Sequence, residues 1–190
     1  MRRGASAYVI GVALVGLPVG GCGPSPTPSP DSSALSSAET RPVVTPTSPP
    51  PELPKPSADA PVTAAAWVEP AAPASRAGDM ELHVRARIAP LHYLHSPDAQ
   101  APFTPTSVEL TPADWITPAG EWELLSMPDA RGHLMDVVEF RRRMRLSEAV
   151  RPGRYEVECA LKYQACTDEL CWPPRVLKLK APLDFEAAGH

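Results

Sequence analysis

The amino-acid sequence predicts an all-β fold: an immunoglobulin-like β-sandwich preceded by a signal peptide and a disordered Pro-rich linker. Three observations carry this reading. Apolar and polar residues alternate through the second half of the chain, turn formers punctuate the alternation, and the 26 prolines crowd toward the first half.

The chain opens on Met1-Arg2-Arg3 and an apolar run from Ala7 to Leu17, too short for a comfortable membrane span. Residues 1–21 therefore read as a signal peptide. The small residues Gly20-Gly21 directly before Cys22 resemble a lipobox, which makes Cys22 the expected lipidation site and the membrane anchor. An uncleaved helical anchor is the alternative. Both place the remainder outside the cytoplasm, in a cell envelope facing the periplasm or the cell exterior, where disulfides persist.

Residues 22–60 are rich in Pro, Ser and Thr, with stretches such as Pro24-Ser25-Pro26-Thr27-Pro28. A stretch of that composition buries too little apolar surface to offset its ordering entropy, so it is expected to be a disordered tether. Residues 61–190 form the expected folded domain, a monomer. A net charge of −4 and the lack of any Lys/Arg block exclude a nucleic-acid surface.

Within that domain, Met80, Leu82, Val84, Ala86 and Ile88 point one way, whereas Glu81, His83, Arg85 and Arg87 point to a wet face. Further strands are expected over 62–68, 106–110, 121–125, 134–146, 154–166 and 172–180. Turn formers separate them, among them Ser96-Pro97-Asp98, Pro118-Ala119-Gly120 and Arg151-Pro152-Gly153. No helical period competes. Roughly seven short strands fit a sandwich of immunoglobulin type.

Along 154–166, Tyr155, Val157, Cys159, Leu161 and Tyr163 share the core parity. Cys159 is therefore expected to be a buried structural thiol, and Cys166, on the opposite parity, to face outward. Four residues, Thr167-Asp168-Glu169-Leu170, separate Cys166 from Cys171 and are polar enough for a hairpin loop that sets the two cysteines opposite each other. Closing so short a loop constrains the unfolded chain by only about 2 kcal/mol. Pro173-Pro174 cannot donate ladder hydrogen bonds, so the segment carrying Cys171 is expected to begin irregularly, leaving room for a partner's sulfur.

The run Tyr163-Gln164-Ala165-Cys166 to Cys171-Trp172-Pro173-Pro174 resembles the active hairpin of the N-terminal domain of the thiol:disulfide interchange protein DsbD. Leu91-His92, Ser96-Pro97, Pro105-Thr106-Ser107-Val108-Glu109-Leu110 and Gly153-Arg154-Tyr155 are similar to further segments of such domains. The resemblance covers about residues 61–185 and implies an immunoglobulin-like redox domain, here as a stand-alone lipoprotein. It implies Cys171 as the thiol that forms mixed disulfides and Cys166 as its resolving partner. It also implies a thioredoxin-like donor and clients such as disulfide isomerases or cytochrome c maturation proteins. A cap loop would lie near 127–135. No multi-span membrane module and no Cys-x-x-Cys domain are present in the sequence, so the redox partners act in trans and the direction of electron flow stays open.

Other readings stand beside this one. The cysteine pair is alternatively a purely structural disulfide in a binding or scaffold protein. A metal centre built from both cysteines and His92 or His95 is a third reading; no metal and no other cofactor is the expectation. Asp168 and Glu169 either disfavour a neighbouring thiolate or simply solvate the turn. Trp172 shields the disulfide, offers a docking surface or joins the core. Tyr163 is expected to pack inward, and His92 to orient the pair or to serve structure.

Overall fold

The computed structural model describes residues 43–45, 50–71 and 78–186. The expected signal peptide, Cys22 and most of the tether lie outside the described residues. Twelve strands are described: β1 (Val43–Thr45), β2 (Val62–Pro70), β3 (Asp79–Ile88), β4 (Tyr93–His95), β5 (Ser107–Leu110), β6 (Ile116–Pro118), β7 (Glu123–Leu124), β8 (His133–Leu134), β9 (Val137–Leu146), β10 (Gly153–Tyr163), β11 (Ala165–Cys166) and β12 (Arg175–Glu186). They form three antiparallel sheets in the orders β1-β12-β10-β5, β2-β3-β9-β6 with β7 also on β9, and β11-β4-β8.

The two larger sheets bury alternating residues in one shared core. Met80, Leu82, Val84 and Ala86 of β3 and Val138, Phe140 and Met144 of β9 meet Val157, Cys159 and Leu161 of β10 and Ala181 and Leu183 of β12. This is the β-sandwich that the alternation predicts, because a period of two puts every second side chain on the inner face. The small sheet adds Leu94, Leu134 and Ala165 to the same core, and so ties the cysteine segment to the sandwich.

Outward residues of β3 and β9 pair across the ladder: Arg145 with Asp79 at 2.7 Å, Arg143 with Glu81 at 3.4 Å and Arg85 with Glu139 at 2.7 Å. The wet face expected for β3 is drier at its centre. His83 is only 7% exposed, since the Trp67 ring stacks on it at 5.1 Å and Glu139 Oε1 sits 2.9 Å from its Nδ1.

Two expected strands are broken, each for a local reason. The run 134–146 splits because Asp136 takes the left-handed conformation (φ 60°), which Asp tolerates better than most residues. Its carbonyl accepts a hydrogen bond from Ile88 N at 2.7 Å. The run 154–166 breaks at Gln164, and this resets the parity beyond it. Cys166, expected to face outward, is fully buried, whereas Cys159 is buried and free as its parity requires.

The last strand starts at Arg175, after the two prolines, and continues to Glu186. Strands β1, β4 and β6 fall where alternation gives no cue. The segment 121–125 keeps only a two-residue strand. Strand β1 falls inside the expected tether and pairs with β12, and near the end of that stretch Arg175 Nη1 donates to Asp59 O at 3.2 Å.

Candidate functional site

Cys166 and Cys171 face each other as an antiparallel bridge and are joined by a disulfide, with Cα atoms 4.0 Å apart. The loop between them is organised by Thr167. Its N–H donates to Leu170 O at 2.8 Å, and its hydroxyl accepts from Leu170 N at 3.3 Å. That is turn chemistry of the kind Thr supplies. Asp168 and Glu169 project into solvent.

Behind the disulfide, Trp172 N donates to Ala165 O at 2.9 Å. Gln164 then clamps the base of the hairpin: its Nε2 donates to Trp172 O and its Oε1 accepts from Thr104 N, both at 3.1 Å. Pro173 and Pro174 are exposed and outside any strand, as expected from their missing donors.

Burial divides the pair. Cys166 is 0% exposed, whereas Cys171 is exposed to solvent. Cys166 lies on β11, which pairs with β4 so that Cys166 is opposite Tyr93. Two residues along, His95 is buried too, and its Nε2 comes within 3.6 Å of Cys166 Sγ.

An aromatic cluster surrounds that histidine. Phe103 stacks on His95 at 4.2 Å between ring centroids, Tyr93 meets it edge-on at 5.5 Å, and His133 meets it edge-on at 5.7 Å. Tyr93 and His133 stack on each other at 3.8 Å. Burial, and secondarily the neighbouring His133, hold His95 below the ordinary histidine pKa. The ring is therefore neutral at physiological pH.

The other residues singled out in the sequence take clear places. Tyr163 is 2% exposed and belongs to the core, and burial pushes its phenol pKa up. Trp172 is half-buried, packs on the core and stacks with His92 at 5.2 Å. His92 places Nδ1 3.0 Å from Pro90 O, so it supports Trp172, and the histidine at the sulfur is His95. Cys159 sits deep in the sandwich, with its thiol pKa pushed up to about 12 by burial. At neutral pH it is a protonated, inert thiol.

The expected cap segment, 127–135, folds around Asp129, whose Oδ1 accepts from Arg131 N and His133 N at 2.8 Å each. It reaches the site through His133, while Met127 is 91% exposed. The ring lying directly on His95 is Phe103, from a different loop. Tyr93, Phe103 and His133 carry no local signal in the sequence. They come from three separated segments, and only the small sheet and the 97–105 loop bring them to one place.

His95, Cys166 and Cys171 offer one nitrogen and two sulfurs within 4.8 Å of one another. With the disulfide reduced, this is the set among the described residues that could ligate a soft metal ion. With the disulfide closed, the sulfurs have no thiolate to offer. The same geometry supports thiol–disulfide exchange, in which an outer sulfur is open to attack and an inner one is held ready beneath it.

Fold and site together define a β-sandwich domain with a half-exposed hairpin disulfide backed by a buried histidine. No protein family profile and no curated protein matches the chain. Among solved structures, the chain is similar to the N-terminal periplasmic domain of ScsB from Proteus mirabilis, at 14% identity and a TM-score of 0.40. The match covers 65% of this chain and 46% of that one, so it spans less than half the length of the solved protein.

Proposed function

We propose that the protein is a lipid-anchored thiol–disulfide carrier of the cell envelope, passing reducing equivalents between a thioredoxin-like donor and client proteins through Cys166 and Cys171. The observation that carries this reading is the unequal burial of one disulfide: Cys171 in solvent and Cys166 fully enclosed. Exchange requires a sulfur that another protein can reach. It also requires a second sulfur close enough to displace that protein.

In the reductive direction, the Cys171 thiolate attacks a client disulfide and forms a mixed disulfide, releasing one client thiolate. Cys166 then attacks Cys171 Sγ, the second client sulfur leaves, and the Cys166–Cys171 bond is restored. Two electrons pass from the carrier's dithiol to the client's disulfide. A donor dithiol reverses these steps on the carrier. The hairpin resemblance to DsbD-like domains supports the same division of roles, with cytochrome c maturation proteins among the client classes that it suggests.

The purely structural alternative is weakened by how little a six-residue loop stabilises the chain, about 2 kcal/mol in the entropic model. A Cys166→Ser variant is expected to accumulate covalent complexes through Cys171 that reducing agent releases. If it traps no envelope protein, and the pair titrates below about −300 mV as structural disulfides do, the carrier reading is wrong. Lipidation is tested separately: Cys22→Ser is expected to abolish incorporation of labelled fatty acid and release the protein from membranes.

A further inference from the structure

His95 is buried against the inner sulfur, and nothing in the exchange chemistry described above accounts for it. A histidine enclosed among aromatic rings is costly to charge, and as packing alone an apolar side chain would serve as well. Cys166 has the complementary problem. A fully enclosed thiol ionises poorly, because burial disfavours the thiolate, and a protonated sulfur does not attack a disulfide. The enclosed sulfur therefore needs a proton acceptor that reaches it from inside the domain.

We propose that His95 is the catalytic base for Cys166: its Nε2 takes the Cys166 proton as the sulfur attacks the mixed disulfide, and returns a proton when Cys166 is expelled. The inference rests on the exchange function proposed above and assigns the group that drives its second half. In the resolving step, the Cys166 S–H bond breaks as the proton passes to His95 Nε2. Cys166 Sγ bonds to Cys171 Sγ, and the client sulfur leaves with the electron pair of the broken S–S bond. The resulting imidazolium then gives up its proton to the departing thiolate or to water.

In the opposite direction a donor thiolate attacks the exposed Cys171 Sγ, the S–S bond breaks and Cys166 leaves as a thiolate, which the neutral His95 ring supplies with a proton that it takes up from water. The observed contact of 3.6 Å between Nε2 and Cys166 Sγ sets this geometry.

The surroundings suit a base. Packed around His95 are Phe103 from the 97–105 loop, Tyr93 from its own strand, His133 from β8 and the disulfide itself. Asp129 lies behind His133, 3.4 Å from its Nδ1. Among the described residues no carboxylate is one of the groups acting on His95, so no standing negative charge holds a proton on it. His133 across the ring disfavours the charged form further. The ring thus rests neutral, ready to accept a proton when the sulfur reacts.

The test uses the reduced full chain and glutathione disulfide, with acid quenching and mass spectrometry to separate formation of the Cys171–glutathione adduct from its resolution. His95→Asn and His95→Gln, which keep a polar group without a titrating ring, are expected to form the adduct at the wild-type rate. They are expected to resolve it on the order of a hundredfold more slowly, the scale of general-base catalysis. Wild-type resolution is expected to fall on an acid limb below the ordinary histidine range, and the variants to lose that limb.

Unchanged resolution and an unchanged pH profile in both variants would overturn the role of His95 and leave the carrier reading standing. A wild-type protein that forms no adduct at Cys171 would overturn both. Because glutathione is small, the two rates report on the cysteines and His95 without a client's docking surface.

Discussion

Gln164 holds the hairpin from both sides, giving a hydrogen bond to the Trp172 carbonyl and receiving one from Thr104 N. It stands where β10 stops and β11 starts, the same break that turns Cys166 inward. Both bonds are part-buried, so removing the amide leaves two backbone groups without their partner, at a cost of about 1 kcal/mol or somewhat more. Gln164→Ala is expected to lower the melting temperature of the oxidised protein by several degrees. It is also expected to speed hydrogen exchange at Thr104 and the residues flanking Trp172. An unchanged exchange pattern there would show that the hairpin is positioned by other means.

The three described cysteines should differ sharply toward a small alkylating agent after mild reduction. Cys171 is in solvent, Cys166 is enclosed beneath it, and Cys159 lies in the core with its pKa pushed up to about 12. Alkylation requires both access and thiolate. At neutral pH the expected order is Cys171, then Cys166 at least about tenfold more slowly, with Cys159 unmodified until the protein is denatured. Peptide mapping by mass spectrometry gives the order directly. Modification of Cys166 at the rate of Cys171 would contradict the unequal burial on which the function rests.

What the sequence makes legible follows from the range over which each signal acts. The inner faces of β3 and β10 are readable because a period of two is local, and Met80, Leu82, Val84, Ala86 and Ile88 are all buried as it requires. The opposed cysteines are readable because loop length and turn chemistry fix a hairpin. The inward turn of Cys166 is not readable, since it depends on a break at Gln164 that the side-chain bonds to Trp172 and Thr104 support. His95 was within reach only as one of two neighbouring histidines. The choice between them is made by β4 pairing with β11, and the cover over His95 comes from Phe103 in a separate loop. His83 likewise has outward parity and becomes buried only because Trp67 of the next strand lies on it.

The Glu139 carboxylate gives stability a dependence on pH. Burial works to raise its pKa, but hydrogen bonds from His83 and Arg85, together with their charges, outweigh burial and leave it below the ordinary value of 4.5. A carboxyl depressed on folding contributes stability above its unfolded pKa and loses that contribution as pH falls through its folded pKa. Glu139→Gln is therefore expected to destabilise the protein at pH 7 by about 1–2 kcal/mol, a figure trimmed for the partial exposure of Arg85. The gap between variant and wild type should narrow as pH drops below about 4.5. Urea melts at pH 7 and pH 3.5 measure it, and a gap that is constant with pH would exclude an ionic contribution.

Phe103 offers a way to change His95 without touching it. The phenyl ring stacks on the imidazole at 4.2 Å and is itself 47% exposed, so it screens the histidine from water with one face and meets solvent with the other. Desolvation is the larger of the two causes that hold the His95 pKa down. Opening that face to water relieves it and leaves His133 in place. Phe103→Ala is expected to raise the His95 pKa toward its ordinary value, visible by NMR titration of the imidazole carbons. The base then carries a proton over more of the physiological range, so the acid limb of Cys166 resolution should move to higher pH by the same interval as the NMR midpoint. An NMR midpoint that moves while the kinetic limb stays in place would separate the titration of His95 from the chemistry of the cysteines.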